Sequence, residues 1–372
     1  MKPMAITGLG VVSPHGLGWS DFVAGYASSA DVRASDCGLF DLAPYEGARV
    51  AEVKGFDPAK HIGDKGLRNN DRLTKLYLVA ARLGLDHAGV KSKGAWTAYG
   101  PDDLGVSAAN AYGSLEAIHE LNLVAKLEDP RYINPARFPN TVINSSLGYV
   151  SIWEDLRAFN ATVVNGPTGA VDSIGCAEMY LASGRAKAAL VGGAEALSES
   201  LMLALHRTGM SPSTAVGEGA VLAVMEPLAA ANARNAKVHA VVTGYGTTFE
   251  PPDDDDRLFA PSQRALERAI AMALDDASLA TSDVDMIASG LSGWDPMDRV
   301  ERAALATRFG AKKTHDVKLR TGETLGAAGA FALAAAVAAM AADDAVKTAL
   351  IPSLGFYGNA SALVVRRSGA VT

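Results

Sequence analysis

The 372-residue sequence predicts an α/β protein in which two successive halves each alternate strands with helices, the pattern of a mostly parallel sheet. Three observations carry this. From Ala161 to Ala189, a β-branched run (Thr162-Val163-Val164) reads as the end of a buried strand. It leads into the turn Asn165-Gly166-Pro167-Thr168-Gly169 and a helical spacing of Val171, Ile174 and Leu181; an apolar strand, Ala189-Leu190-Val191-Gly192-Gly193, follows. Composition then shifts to small polar residues from Ala229 to Asn235 and the alternation restarts, which divides the chain into 1–233 and 234–372. Apolar residues make up 49% and charged residues 20%, a globular balance on a chain long enough for a generous layered core.

Taken in order, Met4 to Val12 reads as strand and turn and Trp19 to Ser28 as a helix. Gly8-x-Gly10 is a fragment of a dinucleotide fingerprint. Ser13 stands where the third glycine belongs, and Pro14-His15-Gly16 breaks the helix that motif needs, so no nucleotide site is expected. Residues 30–70 are irregular. Leu73, Leu76, Ala80 and Leu83 set a helix up to Ala88. A strand at Asp103 to Ala108, a helix at Leu115 to Leu123, a loop at Asp129 to Asn144 and a helix at Leu147 to Phe159 follow. Ala220 to Met225 is a strand closed by Glu226-Pro227. In the second half, strands at 237–248, 284–289, 347–352 and 361–366 are interleaved with helices at 261–277, Arg299 to Phe309 and Thr324 to Ala342. The acidic run Asp253–Asp256 reads as a solvated loop, because consecutive Asp side chains cannot converge on one ion.

A net charge of −7 and a pI near 5.5 argue against nucleic acid or an anionic membrane as partner. The two cysteines, Cys37 and Cys176, give neither a disulfide framework nor zinc spacing, so a cytoplasmic protein is expected, with no metal and no cofactor. The N-terminus moves straight into a strand pattern rather than a signal peptide. Thr324 to Ala342 is uncharged and about long enough to span a bilayer. It is mostly Ala and Gly, which suits a helix buried in a layered core.

The stretch from Ala161 also frames a site. Strand, tight turn, helix and strand is the setting in which a nucleophile elbow presents Ser or Cys at a helix head, where the helix dipole lowers a thiol's pKa. The residue at the point of this turn is Pro167, which has no nucleophile and no backbone N–H. Cys176 lies more than two helical turns further on, at about 1.5 Å per residue, and reads as a small buried apolar residue.

Six stretches occur in a telling order: ITGLGVVSPHGLG (6–18), FPNTVINSSLGYVSI (138–152), SIGCAEMYLASGRAKAALVGGAEA (173–196), VGEGAVLAVMEP (216–227), LGAAGA (325–330) and LGFYGNASALVV (354–365). Together they resemble the β-ketoacyl-carrier-protein synthases, condensing enzymes of fatty-acid and polyketide synthesis. The resemblance runs nearly the whole chain and implies a thiolase-like, five-layer αβαβα fold made of two related halves. That chemistry uses a Cys to take the acyl group and two His to promote decarboxylation and stabilise the oxyanion. Matching Val171-Asp172-Ser173-Ile174-Gly175 to the family's elbow helix puts the Cys position at Pro167. Asp298 and Glu301 fit the acidic residues beyond the first His, whose position is then Gly290. Thr321-Gly322-Glu323-Thr324-Leu325-Gly326 places Glu323 in the seat of the second His, and Lys318 matches the family's lysine.

Further departures accompany these losses. The family's longer segment, with a Pro-Phe-Asp and an Arg-Asp-Gly, is absent between Met210-Ser211-Pro212 and Val216-Gly217-Glu218. Its Gly-Phe-Gly-Gly gate becomes Gly355-Phe356-Tyr357-Gly358. His15, His61, His87, His119, His206, His239 and His315 fall at neither histidine motif.

A thiolase fold so altered resembles the chain-length-factor subunit of a type II polyketide or aryl-polyene system. The resemblance implies a heterodimer with an active ketosynthase homologue, contact with acyl carrier protein mainly through that partner, and a wall at the far end of the acyl tunnel. The wall is expected from Ala109 to Leu115 and Ala136 to Asn144, with Tyr112, Arg137, Phe138 and Thr141 at the tunnel or interface; the bland alternative is that they pack the subunit's own core. A different function would be an independent acyl-thioester transferase or hydrolase working through Thr168 or Glu323. A third is a homodimeric carrier-protein-binding module, against which the acidic balance weighs, carrier proteins being acidic themselves.

Overall fold

Two runs of strands repeat one topology. In the first run are β1 (Met4–Ser13), β2 (Leu104–Ala109), β3 (Asn160–Val163), β4 (Ala188–Glu195) and β5 (Gly219–Pro227), in spatial order β3-β2-β4-β5-β1. In the second are β6 (Ala240–Phe249), β7 (Met286–Ser289), β8 (Thr314–Asp316), β9 (Thr348–Leu354) and β10 (Asn359–Arg366), in spatial order β8-β7-β9-β10-β6. Counted from its own first strand, each arm has the same order and the same directions. The first three strands in space are parallel and the last two join antiparallel. The arms meet where β1 pairs antiparallel with β6, Met4 opposite Val242 and Ile6 opposite Ala240. The computed structural model describes residues 1–28, 30–211, 213–253 and 257–370.

The expectation of mostly parallel sheets is therefore corrected: strands beside the seam are antiparallel. The link from β9 to β10 spans only residues 355–358, and so short a link can only turn the chain back as a hairpin. Strands buried on both faces read as continuous apolar runs in either direction, so hydropathy could not tell the two apart.

The helices are α1 (Trp19–Ala27), α2 (Arg72–His87), α3 (Leu115–Leu127), α4 (Ser145–Glu154), α5 (Gly169–Ala182), α6 (Glu199–Arg207), α7 (Gln263–Asp276), α8 (Asp295–Phe309) and α9 (Ala328–Ala342). Helix α2 covers the outer face of the first arm and α7 that of the second, while α5 and α9 lie between the arms. That gives the five αβαβα layers. Side-chain caps start the two outer helices: Asp71 Oδ1 accepts the Thr74 N–H at 2.7 Å, and Ser262 Oγ accepts that of Ala265 at 3.0 Å. Leu325–Ala342 is long and apolar enough to cross a membrane by length and composition, yet 83% of it is buried. It touches strands of both arms, as its Ala-rich face requires in so narrow a layer.

Several local expectations shift. β3 is a half-buried edge strand rather than a buried one, and Cys176 is half-buried rather than buried. α4 stops at Glu154 because Asp155 turns left-handed (φ 53°), well short of Phe159. A short helix, Leu228–Ala233, occupies the small polar stretch. Of the acidic run Asp253–Asp256, all but Asp253 lies outside the described residues, as does Pro212.

Gly8 and Gly10 lie inside β1, not in a turn after it. A Cβ on Gly10 would sit 1.9 Å from the Ala80 carbonyl oxygen and 2.4 Å from the Gly84 nitrogen, both in α2. The glycines thus let the outer helix lie on the strand, which accounts for the motif without a nucleotide. Gly10→Ala should lower unfolding free energy by about 1–3 kcal/mol in chemical denaturation; an unchanged midpoint would contradict this packing.

Candidate functional site

The matched positions gather at the carboxyl ends of the parallel strands, where open α/β sheets build their sites. Pro167 follows β3, Gly290 follows β7, and Lys318 and Glu323 follow β8. The short turns at the heads of α5 and α9, Gly166–Thr168 and Leu325–Ala327, touch each other across the arms.

At the elbow, Pro167 is buried and its carbonyl accepts the Ser353 hydroxyl at 2.9 Å. Thr168 is fully buried, and its hydroxyl donates to Asp172 Oδ2 at 2.8 Å while accepting from Asn359 Nδ2 at 3.0 Å. Asp172, in the favourable first turn of α5, also accepts from Asn165 Nδ2 (2.9 Å), the Tyr245 hydroxyl (2.9 Å) and the Ser361 hydroxyl (2.5 Å). Tyr245 and Ser361 lie on β6 and β10, so the turn is fastened to the other half. Burial beside that carboxylate pushes the Tyr245 phenol up, so it stays a donor.

At Gly290 a side chain would have to displace the end of Glu301. A Cβ there would sit 2.8 Å from Glu301 Oε2, and the Gly290 N–H already donates to Glu301 Oε1 at 2.7 Å. Burial raises the Glu301 carboxyl to about 7 against the pull of the Lys318 charge. Glu323, almost fully buried, accepts from Lys318 Nζ at 2.7 Å and from the Leu325 N–H at 2.8 Å. Burial works to lower the Lys318 ammonium, but the carboxylates of Glu323, Glu301 and Asp298 outweigh it and hold the group above its ordinary range. Lys318 is thus a fixed cation among acids rather than a base.

Beside this pair, Glu195 closes β4 with Oε2 accepting the N–H groups of Ala111 (2.8 Å) and Gly326 (3.2 Å). Burial raises it to about 7; the amides oppose the shift and the Glu323 charge adds to it. Tyr112 is raised by burial and by the charges of Glu195 and Glu323, while 40% of the residue is exposed. Phe138 is 60% exposed. Arg137 Nη1 donates to Glu120 Oε1 at 2.6 Å, and Thr141 Oγ1 donates within its own turn to the Phe138 carbonyl at 2.8 Å. Among the histidines, His15 is bound to the Arg320 carbonyl, His206 to Ser211 and His315 to Tyr26.

Known proteins match this chain along its whole length. The β-ketoacyl synthase N-terminal domain profile matches residues 1–231, and the β-ketoacyl synthase C-terminal domain profile matches residues 239–351. The chain belongs to the β-ketoacyl synthase family. It is 28% identical to 3-oxoacyl-[acyl-carrier-protein] synthase 2 of Coxiella burnetii, over 93% of this chain and 88% of that protein. It is 29% identical to the tetracenomycin polyketide synthase ketoacyl synthase beta subunit of Streptomyces glaucescens, over 99% of both. Among solved structures, the ishigamide ketosynthase/chain length factor superposes with a TM-score of 0.89 at 25% identity, covering 99% of this chain and 100% of that one. A β-ketoacyl synthase from Burkholderia phymatum superposes with a TM-score of 0.85 at 22% identity, covering 99% and 100%, a likeness of fold.

In this synthase-family chain Pro167, Gly290, Lys318 and Glu323 come together in one region, while Phe138 is exposed and Thr141 half-buried. Residues not singled out hold it together: Asp172, Tyr245, Ser361 and Glu195. Asp172 and Glu195 carried one available signal, an acid within an otherwise apolar buried stretch.

The sign of a pH effect follows from Glu195. Its folded value of about 7 lies above the ordinary 4.5, so the folded state binds the proton more tightly. Stability from that proton is fully present below the ordinary value and is lost as pH climbs through about 7. In Glu195→Gln the fall in unfolding free energy between about pH 5 and about pH 8 should shrink, by up to about 1.4 kcal/mol per pKa unit. An unchanged slope in denaturation series would contradict the assignment.

Proposed function

We propose that this chain is a non-catalytic, chain-length-factor-like subunit that pairs with an active ketosynthase in type II polyketide or aryl-polyene synthesis and shapes the acyl tunnel. The observation that carries the proposal is the state of the three matched positions. Pro167 offers no nucleophile, Gly290 has no side chain to act with, and Glu323 is committed to Lys318. Full-length similarity to a ketoacyl synthase beta subunit supports the same role.

The independent acyl-thioester enzyme finds little support. Thr168 Oγ1 is buried and bonded on both sides, to Asp172 and Asn359, with no imidazole bonded to it among the described residues, and Glu323 is ion-paired. A partner surface is better supplied. Among the described residues β3 ends the sheet, half-buried, with its outer edge unpaired, and Ile152, Val164 and Met179 stand exposed near it. Tyr112 and Phe138 are too exposed to be the subunit's own core, and suit a wall completed by a second chain. Carrier protein docks mainly through that partner, since this chain's net charge of −7 repels an acidic protein. The halves 1–233 and 234–372 act as one unit in this cytoplasmic assembly.

The test is product length. Reconstituted with its cognate ketosynthase, the Phe138→Ala subunit should release longer chains, because a wall discriminates by roughly 1–3 kcal/mol per methylene. A product distribution identical to wild type, measured by mass spectrometry, would remove Phe138 from the wall.

A further inference from the structure

We infer that His87 and His239 form an acid-sensitive latch on the strand pair that joins the two arms, so that protonation frees the joint between β1 and β6 while the rest of the chain stays folded. The latch is independent of the role proposed above.

The pairing of β1 with β6 runs only from Met4 to Ile6. Beyond Ile6 the register of β1 against β5 shifts before Gly8, and β1 parts from β6. Two imidazoles meet at that parting. His239, just before β6, donates its N–H to the Ile6 carbonyl at 2.9 Å. His87 ends α2, and its Nδ1 lies 3.0 Å from the Leu9 nitrogen in β1. The two ring centroids are 4.6 Å apart. Trp19 of α1 closes the group, stacked on His87 at 6.2 Å and edge-on to His239 at 6.1 Å. One cluster of rings thus ties α1, α2, β1 and the entry to β6 together.

These contacts require neutral rings. An amide can only donate, so the Leu9 N–H needs a bare Nδ1 on His87. A proton at Nδ1 would turn that atom to the Leu9 carbonyl, 3.2 Å away, and give up the bond from the amide. His239 Nε2 is sealed from water and has no partner among the described residues, so a proton there would be buried without an acceptor. Two charged rings this close would also repel each other, and the Lys237 ammonium adds a third positive charge. The other charges nearby are engaged elsewhere. Arg234 reaches the Ala88 carbonyl with its charge matched by Glu226, and Asp86 of α2 is set among Arg82, Glu154 and Lys91. No acid is bonded to either ring among the described residues. Burial accordingly pushes His239 down to about 4, with the His87 and Lys237 charges adding to it. Burial lowers His87 as well, against the pull of the Leu9 carbonyl and with the Lys237 charge adding to it.

The folded value of His239 lies below the ordinary 6.5, so the open joint binds the proton more tightly than the closed one. Stability of the joint is therefore present above 6.5 and lost as pH falls toward about 4. Amide hydrogen exchange on the full chain, digested after quenching and corrected for the intrinsic pH dependence of exchange, reads this opening. Between about pH 7.5 and about pH 5.5, protection of residues 4–9 and 238–242 should fall at least about tenfold, the linkage of one histidine. Protection of Ala328–Ala342 should stay unchanged. The double variant His87→Asn, His239→Phe keeps an acceptor for Leu9 and a ring against Trp19, and should cut the fall to under about twofold. Should it fail to fold, His239→Phe alone carries the measurement and should cut the fall to less than about half of the wild-type value. His315, bonded to Tyr26 outside the cluster, is also lowered by burial, and His315→Gln should leave the fall in place. Protection that does not change with pH, an equal fall in Ala328–Ala342, a fall that survives the substitutions of the pair, or one removed by His315→Gln would overturn the inference.

Discussion

The heads of α5 and α9 meet only because glycine lines their contact. A Cβ on Gly193 would lie 2.6 Å from the Gly326 carbonyl oxygen and 2.8 Å from that of Ala109; one on Gly329 would lie 2.7 Å from Val171 Cγ2. With these side chains absent, two helices fit in one layer between the arms, and the turns at Pro167 and Leu325 touch. The fit strains the backbone: Leu325, fully buried, sits at φ 45°, a conformation a leucine adopts only when its surroundings impose it. Every group of the candidate site hangs from one of these two turns or from the strand ends beneath them.

That frame is shared with the synthase family, and its polar groups here work for structure. Asp172 ties the elbow to β6 and β10, and Glu301 occupies the space above Gly290. Lys318 then has a reason to stay: it is the cation beside Glu323 and near Glu301, and leaving buried carboxylates uncompensated costs about 3–5 kcal/mol. Charge balance thus accounts for the lysine at this place.

Much of this was legible in the sequence, unevenly. The alternation of strands and helices, the Ala-rich central helix and the turn with Pro167 at its point follow from local patterns, because burial and turn chemistry act over a few residues. Strand direction did not, since β4, β5, β9 and β10 are apolar on both faces whichever way their neighbours run. The positions of Gly290 and Glu323 came from motif order, and their partners could not: Glu301 above Gly290 and Phe259 against Trp294 are contacts between segments. β3 looked buried because Thr162-Val163-Val164 is β-branched, yet it ends the sheet with Val164 exposed. Tyr112 and Phe138 were likewise visible as residues but not as surface.

The central claim is that this chain works only as half of a pair. Native mass spectrometry of the tagged subunit, purified from its own organism at endogenous level, tests it most directly. The account predicts a one-to-one complex with a homologue that carries cysteine at the position of Pro167. A homodimer, with no such homologue bound, would contradict it.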